Sequence, residues 1–552
     1  MKVEQIKELS KNLEDCLGIP NIIARILINR GFSIPHEAET FLFPKIKDLS
    51  DPLLLPDCEK GIQELIHAIK NKKHICLYGD YDADGITSCA LMVNFLKKLN
   101  IKPYIYIPER KEGYGLNIEA IKRLKKDKVD LIVCLDCGSA NIEEVKFAYE
   151  LGMKTLIIDH HEVSHELPLA EAIINPKRKD SQFPTRELAA CGVTFFFLWA
   201  LRRVMHNHGL IDGNINLKNE LDLVTIGTIG DMVPLIKDNR ILTKMGMEVM
   251  KKRPKQWLKT FYKENLLPKS ELNEYALNFI VLPRINAAGR VSMPEESLDF
   301  LTTEKEAEST RLLKALQDAN NMRQKIGDRI LKECKEEIMA QGIDKKNTIV
   351  LFNKDWHIGV IGIVAQKLTE LYKKPSLVIT EIDGICKGSG RGIEDIDLYE
   401  TMSSLSHLFI RFGGHRLACG FSLKKENIPL LKERFEKAMS SIILREDEIY
   451  FDAHADFDEF DSDFAYHLEA MSPFGIGNPR PAVMITPNDV NLLNNNRIKI
   501  TDKSSRQWYG YVNNTIIIPE KINKGLKLIV QPVIKEEMGN KFINLNVKAV
   551  LQ

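Results

Sequence analysis

The sequence predicts a multidomain α/β protein whose first large domain is a parallel sheet flanked by helices. At 552 residues the chain is too long for a single hydrophobic core. From about residue 57, short apolar runs typical of buried strands alternate with segments of helical periodicity, which favours a parallel sheet. After about residue 448 the pattern changes to short β segments broken by Pro, Gly and Asn, as in a small β-barrel.

These changes of pattern divide the chain into five segments. We predict a helical extension at 1–56, a parallel-sheet domain at 57–303, a connecting helix at 304–342, a smaller α/β domain at 343–448 and an OB-fold-like β-barrel at 449–552. The connecting helix is indicated by helical spacing over 304–341 with no proline and one glycine, Gly327. A helix of that length is often a spacer between domains.

Apolar runs and periodic segments give the main elements of both α/β domains. In the first domain, strands are predicted at 74–78, 129–135 and 154–158, and helices at 62–69, 86–99 and 142–151. In the second domain, strands are predicted at 348–352 and 376–379, and a helix at 359–371. Thr87 and Ser88 are the predicted capping groups at the start of the helix at 86–99.

Composition and charge narrow the class of protein. The net charge is +1, so any nucleic acid must be bound by local patches, such as 497–552 with ten Lys and Arg against four Asp and Glu. Residues 1–7 are charged and predict no secretion signal. The most apolar stretch, 193–201, is too short to span a bilayer and predicts a buried helix. Ten scattered cysteines fit reduced thiols and predict a cytoplasmic protein.

Acidic residues and histidines follow the predicted strands at the points where the strands end. They are Asp80, Asp82 and Asp84 after the first strand, Asp136 after the second, and Asp159, His160 and His161 after the third, with Asp231 after an apolar segment as a further candidate. Because the carboxyl ends of parallel strands share one edge of a sheet, we expect these side chains to converge. A cluster of like charges is unfavourable unless a hard divalent cation binds it.

An isolated aspartate would more often be a turn residue or a helix cap. The joint pattern instead predicts a site for two divalent cations, and such a site suits hydrolysis of a phosphoester. Asp80 lies closest to its strand, and we rank it below Asp82 and Asp84 as a direct ligand because it could instead position the other two.

Several motifs, in the same order along the chain, resemble the DHH phosphoesterase family. The first set lies at 79–85, 135–138, 159–161 and 230–231. A second set, at 283–290, 320–324, 356–362, 388–391, 413–415, 420–422 and 473–479, is similar to the RecJ branch, which comprises bacterial single-strand-specific 5′→3′ exonucleases. The resemblance extends from about Phe41 to the end of the sequence. Gly392 and Cys419 stand where that branch has serine and alanine, and both replacements are small.

The resemblance implies two Mn²⁺ or Mg²⁺ ions and a set of ligands for them. The implied ligands are Asp80, Asp82, Asp84, Asp136, His160 and Asp231. Asp136 would bridge the two ions. His161 would lie beside the scissile phosphate as an electrostatic or proton-transfer group, and Asp159 would orient a histidine.

Other residues are predicted to bind the phosphates of a strand. Arg110, Arg284 and Arg290 match arginines of the family pattern, and the guanidinium fork suits a phosphate. Asn286 begins a run of small residues that permits close approach of the backbone.

The two C-terminal domains contribute further candidates. Ser389, Arg391 and His415 lie among glycines whose N–H groups can cradle an anion, and the resemblance implies that they help to hold the 5′ end. Trp508 and Tyr511 lie among basic residues and could stack on bases, although aromatic residues in a small barrel more often fill its core.

The function implied by the resemblance is metal-dependent degradation of single-stranded DNA from its 5′ end to mononucleotides, in DNA repair and recombination. It also implies a single-strand-binding protein and a helicase as partners, and we expect a monomer that does not contact membranes. One alternative is a DHH phosphodiesterase acting on short oligonucleotides or cyclic dinucleotides, although such enzymes typically lack the barrel. A pyrophosphatase or polyphosphatase could use the same metal cluster. An alternative of another class is a non-catalytic single-stranded-DNA-binding relative, which the intact ligand set disfavours.

Overall fold

The computed structural model describes residues 3–551 apart from 164–165, 212, 214, 441–448, 494–495, 513–515, 517–525 and 538–539. The predicted domain boundary at 448/449 borders on residues that lie outside the described ranges. The chain starts with α1 (Val3–Leu17), α2 (Asn21–Asn29) and α3 (Pro35–Leu42). The apolar faces of these helices share one core with the C-terminal domain, so this segment is packed against the far end of the chain.

The parallel sheet is the centre of the first large domain. Its strands are β1 (Ile75–Tyr78), β2 (Tyr104–Tyr106), β3 (Leu131–Leu135), β4 (Lys154–Ile158) and β5 (Ala172–Ile174), paired in parallel in the order β2-β1-β3-β4-β5. The helices around it are α4 (Cys58–Lys70), α5 (Ala83–Lys98), α6 (Ile118–Lys126) and α7 (Ile142–Glu150). β1 and β3 are buried along their whole length, as continuous apolar runs predict. The predicted elements are confirmed, whereas β2 and β5 are too short to have been recognised.

A helical half completes this domain and leads to the connecting helix. Its helices are α8 (Ala190–Asn207), α9 (Leu221–Gly230), α10 (Lys237–Lys252), α11 (Gln256–Lys263), α12 (Glu274–Ala276), a π-helical turn (Leu277–Val281), α13 (Leu282–Val291) and α14 (Glu295–Thr302). The long helix α15 (Glu306–Ala340) follows, as predicted. The apolar stretch at 193–201 lies in α8 and is almost entirely buried. Along the described part of the chain, every helix is too short or too polar to cross a bilayer.

The second α/β domain has one mixed sheet. Its elements are β6 (Ile349–Phe352), α16 (Ile358–Tyr372), β7 (Ser376–Ile382), β8 (Ile385–Arg391), α17 (Leu398–Ser404), β9 (Phe409–His415), β10 (Ala418–Leu423) and α18 (Ile428–Ser440). The strand order is β6-β7-β8-β10-β9, and only β6 and β7 pair in parallel.

The C-terminal domain consists of two small sheets and one helix. Its elements are β11 (Ala453–His454), α19 (Ser462–Met471), β12 (Val483–Ile485), β13 (Asp489–Leu492), β14 (Arg497–Thr501), β15 (Gln507–Tyr511), β16 (Lys527–Glu537) and β17 (Asn540–Leu551). The sheets have the orders β11-β12-β16-β17 and β13-β14-β15, and a bridge between Val512 and Val547 joins them. This arrangement agrees with the predicted small β domain.

Two basic side chains of α10, one buried and one half-buried, join three parts of the chain. Arg240 donates to the carbonyls of Phe41 (2.8 Å) and Ala470 (3.1 Å), and its guanidinium lies 3.8 Å from the centre of the Phe41 ring. Lys244 donates to the carbonyl of Leu42 at 2.5 Å and also to that of Ala470. These carbonyls lie in the last turns of α3 and α19, where the helix dipole is negative. The cations therefore hold both helix ends against the first large domain.

Candidate metal centre and phosphate-binding cleft

The loop between β1 and α5 is fixed by hydrogen bonds that orient its aspartates. Asp82 is the N-cap of α5, and its Oδ1 accepts the backbone N–H groups of Asp84 (3.0 Å) and Gly85 (3.2 Å). The prediction that Thr87 and Ser88 cap this helix was wrong. The helix begins earlier than its apolar periodicity suggests, and Thr87 donates back to a carbonyl of its own helix (2.8 Å).

Helix α13 packs directly on this loop. A Cβ at Gly289 would lie 2.2 Å from the carbonyl oxygen of Tyr81, so only glycine allows the contact. Asn286 Oδ1 accepts the backbone N–H of Ala83 at 2.8 Å. The expected close approach of the backbone is therefore present. The side chain of Asn286, which we predicted to bind DNA, holds the aspartate loop in this structure.

The carboxylates and imidazoles meet at the carboxyl edge of the sheet, as predicted. Three groups have ligand atoms within 4.8 Å of one another: Asp80, Asp82 and Asp136; Asp84, His160 and Asp231; and Asp136, His160 and His161. Asp136 Oδ1 lies 3.3 Å from Nε2 of His160, so this carboxylate connects the groups. Its backbone has φ +65°, a left-handed conformation that is unfavourable for a residue with a Cβ.

Buried atoms of this cluster lack hydrogen-bond partners among the described residues. They are Oδ1 of Asp80, Oδ1 of Asp136 and both ring nitrogens of His160. Buried polar atoms are normally satisfied, and carboxylate oxygen with imidazole nitrogen is a donor set for divalent cations. The residues present therefore fit the implied metal ions. The unpartnered Oδ1 of Asp80 also argues against our ranking of Asp80 below its neighbours.

The pKa shifts in the cluster also indicate a site for divalent cations. Burial, followed by repulsion from Asp82, raises the pKa of Asp80 to about 8 and that of Asp84 to about 6. The same causes, burial and neighbouring carboxylates, raise the pKa of Asp136 and Asp231 well above the usual range. Asp84 also accepts two backbone N–H groups at the start of α8 (2.6 and 2.9 Å). Bound cations would relieve this repulsion.

Asp159 orients His161 rather than joining the metal ligands. Its Oδ1 lies 2.9 Å from Nδ1 of His161, and its Oδ2 accepts the N–H of Ser139 (2.9 Å). Burial lowers the pKa of His161, but the charge and hydrogen bond of Asp159 outweigh burial and raise it to about 9. Asn175, which the sequence reasoning missed, is fully buried after β5 and donates to Ser139 Oγ and to the carbonyl of His161, both at 2.9 Å.

Tyr114 was also missed, although it lies in the same loop as Arg110. Its hydroxyl donates to the carbonyl of Asp136 (3.0 Å) and lies 2.8 Å from Nδ1 of His161. The glycines on either side, Gly113 and Gly115, have φ of +100° and +80°, which turns the tyrosine toward the histidine. A Gly-Tyr-Gly run is the signal that could have identified it.

Four arginines, which we call the arginine group, meet on the Asp82 side of the cluster: Arg110, Arg290, Arg323 and Arg391. Burial, followed by the charges of the other three, lowers the pKa of Arg290 to about 9, with Asp82 opposing them. Arg323 has a buried Nε without a partner among the described residues. Like charges held together in this way are typical of an anion-binding site. Arg323 was not singled out from the sequence.

The members of the arginine group are anchored by both α/β domains. Arg110 donates to the carbonyl of Gly289 (3.0 Å) and lies 4.2 Å from the centre of the Tyr81 ring. Arg391 donates to Ser389 Oγ (3.0 Å). The arginine group is therefore assembled only when the two domains are together.

Arg284 and His415, which were also predicted to bind the DNA strand, differ in their distance from the cluster. Arg284 is not brought into the arginine group: it donates to Gln317 Oε1 on α15 (2.6 Å), and its guanidinium lies 5.9 Å from the centre of the Phe261 ring. His415 does reach the cluster, with its ring centre 6.3 Å from that of His161.

A cavity of about 590 Å³ lies between the two α/β domains, and we call it the cleft. Its lining includes His160, His161, Asp231 and Lys177 from the first domain. The second domain contributes Asp397, Tyr399, Gly414, His415 and Arg416. His160, His161 and Asp231 of the cluster therefore face a space between the two domains.

The aromatic residues of the C-terminal domain differ in exposure. The half-buried ring of Trp508 packs 5.9 Å from Phe457 and 5.7 Å from Phe460, measured between ring centres, so it fills the core. Tyr511 is 42% exposed and lies 5.1 Å from Nζ of Lys535. Tyr511, rather than Trp508, presents a ring to solvent beside a cation.

Comparison with known proteins agrees with this geometry. The DHH family N-terminal domain matches residues 74–228, the DHHA1 domain 345–441 and the RecJ OB domain 451–549. A Bacillus subtilis protein named single-stranded-DNA-specific exonuclease RecJ is 35% identical over 86% of this chain, and the chain spans 60% of the length of that relative. The Escherichia coli protein of the same name is 31% identical, with 86% of this chain and 85% of that protein covered.

Among solved structures, RecJ from Thermus thermophilus in complex with Mn²⁺ has the same fold. The TM-score is 0.82 at 24% identity, over 99% of this chain and 78% of that one. The three domain matches, the fold and the coverage of the Escherichia coli relative agree, and this chain belongs to the RecJ branch of the DHH family.

Proposed function

We propose that this chain hydrolyses single-stranded DNA from its 5′ end and releases mononucleotides, using two Mn²⁺ or Mg²⁺ ions. One juxtaposition carries the proposal: buried ligand atoms that lack partners among the described residues lie beside the four cations of the arginine group. The first set fits cations and the second fits a phosphate. The names of the Bacillus subtilis and Escherichia coli relatives support the same activity.

Two ions would be held by these ligand atoms, and Asp136 lies next to both groups, with its Oδ1 3.3 Å from Nε2 of His160. Asp80 and Asp82 would hold one ion, and Asp84, His160 and Asp231 the other. When bound, such ions supply positive charge to the phosphate and lower the pKa of a bound water. The chain's own contribution is to fix the ligands, through the cap at Asp82 and the backbone contacts of Asp84.

His161 is placed to act on the scissile phosphate. With Asp159 raising its pKa to about 9, the imidazole carries a proton at neutral pH and can donate it, or a hydrogen bond, to a phosphate oxygen. Tyr114 and Asp159 restrict the ring from two sides, so little reorganisation is needed when a strand binds.

The polarity of the reaction follows from the arginine group. A 5′-terminal phosphate bound there, with help from Ser389, leaves the next phosphate at the shared carboxylate Asp136. Hydrolysis would then release one nucleotide at a time. A duplex end would have to separate its strands to enter a cleft of about 590 Å³, which gives preference for single strands.

Two alternatives make different use of the same groups. A phosphodiesterase for short oligonucleotides or cyclic dinucleotides needs the two α/β domains but not the C-terminal domain, whose exposed Tyr511 lies beside Lys535 and extends the binding surface. A non-catalytic DNA-binding relative has no need of buried ligand atoms such as those of His160. Both are less consistent with the site than an exonuclease.

The biological setting is also a proposal. Single strands in cells are produced by helicases and covered by single-strand-binding proteins, so we propose both as partners, in DNA repair and recombination. All ten cysteines lie within the described ranges, none forms a disulfide and nine are buried, which supports a cytoplasmic location. Because one chain supplies both sides of the cleft, we propose that it acts as a monomer.

Digestion of end-labelled DNA tests the activity. Single strands with a 5′ or a 3′ label, and the matching duplex, are incubated with Mn²⁺ or Mg²⁺. We expect the 5′ label to appear at once as a mononucleotide and the duplex to resist. Release only from 3′ ends, or equal degradation of the duplex, would overturn the proposal.

A further inference from the structure

Part of the cleft lining consists of residues that are neither candidate metal ligands nor members of the arginine group. We call this part the downstream arm, and it is lined by Glu162, Lys177, Glu187, Met232 and Arg416. If the 5′ phosphate occupies the arginine group and the next phosphate lies at Asp136, the remaining strand must leave through another part of the cleft. The downstream arm is open to it.

Lys177 is the enclosed cation of this arm. Only 14% of its side chain is exposed, and Nζ lies 3.1 Å from Glu162 and 3.3 Å from Glu187. The charge of Lys177 affects His415. The pKa of His415 is lowered first by burial, then by the charge of His161 and then by the charge of Lys177. The other cation of the arm, Arg416, is exposed and already donates to a carbonyl (2.6 Å).

The backbone that carries Lys177 is rigidly tied to the reacting groups. Its N–H donates to Oδ1 of Asn175 (2.9 Å), and Asn175 also donates to the carbonyl of His161. A phosphate bound by this lysine is therefore positioned relative to His161 rather than held loosely.

The two glutamates are partners that a phosphate can replace. Glu162 is 70% exposed and Glu187 is 56% exposed, so water screens their attraction to Lys177. They keep the ammonium group in place when no strand is bound. A phosphate entering the arm offers a closer anion, and the released carboxylates return to solvent.

We propose that Lys177 binds the phosphate that follows the scissile one, and so fixes the first nucleotide of the strand that is retained. This inference rests on the proposed function. It makes Lys177 a substrate-binding residue that the sequence motifs did not indicate, with Glu162 and Glu187 as its positioning residues.

The test removes the charge from each side of the contact in turn. A short 5′-phosphorylated single strand is compared with the same strand carrying a neutral methylphosphonate at the second internucleotide linkage. Release of the labelled first nucleotide is measured for the wild type and for Lys177→Met. We expect each single change to lower kcat/KM about tenfold, as for loss of one charge-assisted contact. We expect the two together to lower it no further, since they remove the same contact.

The outcomes separate the possibilities. Losses that multiply, or no loss in Lys177→Met, would overturn the proposal. Lys177→Arg keeps the charge and should remain sensitive to the methylphosphonate, which decides the matter if Lys177→Met folds poorly. Lys179→Met removes an exposed charge two residues away and should behave as the wild type does on both strands. If the wild type releases no nucleotide from either strand, the proposed function itself has failed.

Discussion

The imidazole rings of His161 and His415 face each other across the cleft, with centres 6.3 Å apart and planes inclined by 24°. His161 follows β4 of the parallel sheet, whereas His415 ends β9 of the second sheet. The candidate site thus lies between two domains that α15 connects. The geometry of this candidate site consequently depends on residues that hold the domains together as well as on the candidate ligands.

Substitutions of His160 and His161 should have different effects on metal binding and on catalysis. His160→Ala removes both ring nitrogens from the group formed with Asp84 and Asp231, so it should abolish both turnover and the rise in melting temperature caused by Mn²⁺. His161→Ala should lower kcat by roughly a hundredfold or more, as for loss of a proton-transfer group, while Mn²⁺ still stabilises the protein. Thermal unfolding with and without Mn²⁺, together with kcat, measures both effects. Loss of Mn²⁺ stabilisation in His161→Ala would contradict these assignments.

Arg391 should favour strands that begin with a 5′ phosphate over strands that begin with a 5′ hydroxyl. Arg391→Met should lower kcat/KM by about ten- to a hundredfold on strands with a 5′ phosphate, because a charge-assisted contact is lost. Strands that begin with a 5′ hydroxyl lack that contact and should be affected much less. Arg284→Met is the matched control, since Arg284 contacts Gln317 instead, and it should treat the two kinds of end alike. Equal losses of Arg391→Met on both ends would argue against a phosphate site.

The convergence of the candidate ligand side chains could be predicted because the carboxyl ends of parallel strands lie at one edge of a sheet. Asp80, Asp136 and His160 each follow an apolar run, and the pairing of β1, β3 and β4 brings them together without further tertiary detail. The long helix and the second α/β domain were predictable for a similar reason, because their periodic patterns are long and uninterrupted.

The remaining features depend on contacts that no local pattern encodes. Arg284 and Arg290 lie on one helix and look equivalent in sequence, but only Arg290 faces Arg110 and Arg391, because the helix turns Arg284 toward Phe261. Asn175 and Lys177 directly follow β5. This strand has only three residues, so its sequence pattern is too weak to be recognised. The left-handed φ of Asp136 was likewise not predicted from the sequence.

Glu220 should stabilise the first large domain at neutral pH. Burial would raise its pKa, but Lys255 (2.6 Å) and Lys98 (2.8 Å) outweigh burial and lower it from 4.5 to about 2. Because the folded state holds the proton less tightly than the unfolded state, this stabilisation is present above pH 4.5 and is lost as pH falls toward 2. Glu220→Gln should lower the free energy of unfolding by about 3 kcal/mol at pH 7.

Urea unfolding at several pH values measures this difference, which should shrink steadily below pH 4.5. Glu304→Gln breaks an exposed pair with Lys97 (3.1 Å) and should cost roughly 0.5 kcal/mol or less at any pH. A constant difference for Glu220→Gln between pH 7 and pH 3 would mean that its ion pairs are not the source of the stability.

Arg240 should couple the C-terminal domain to the catalytic cleft. Arg240→Met leaves the carbonyl of Phe41 without its donor and removes one of the two donors to the carbonyl of Ala470, which should lower the free energy of unfolding by about 3 kcal/mol or more. It should also loosen α3 and α19, so that protease cleaves them sooner than in the wild type. Short strands need only the cleft and should still be hydrolysed. The ratio of kcat/KM for long strands to kcat/KM for short strands should fall. Arg253→Met changes an exposed arginine at the end of the same helix and should alter none of these measurements. An unchanged preference for long strands in Arg240→Met would show that the C-terminal domain does not need this anchor to guide DNA.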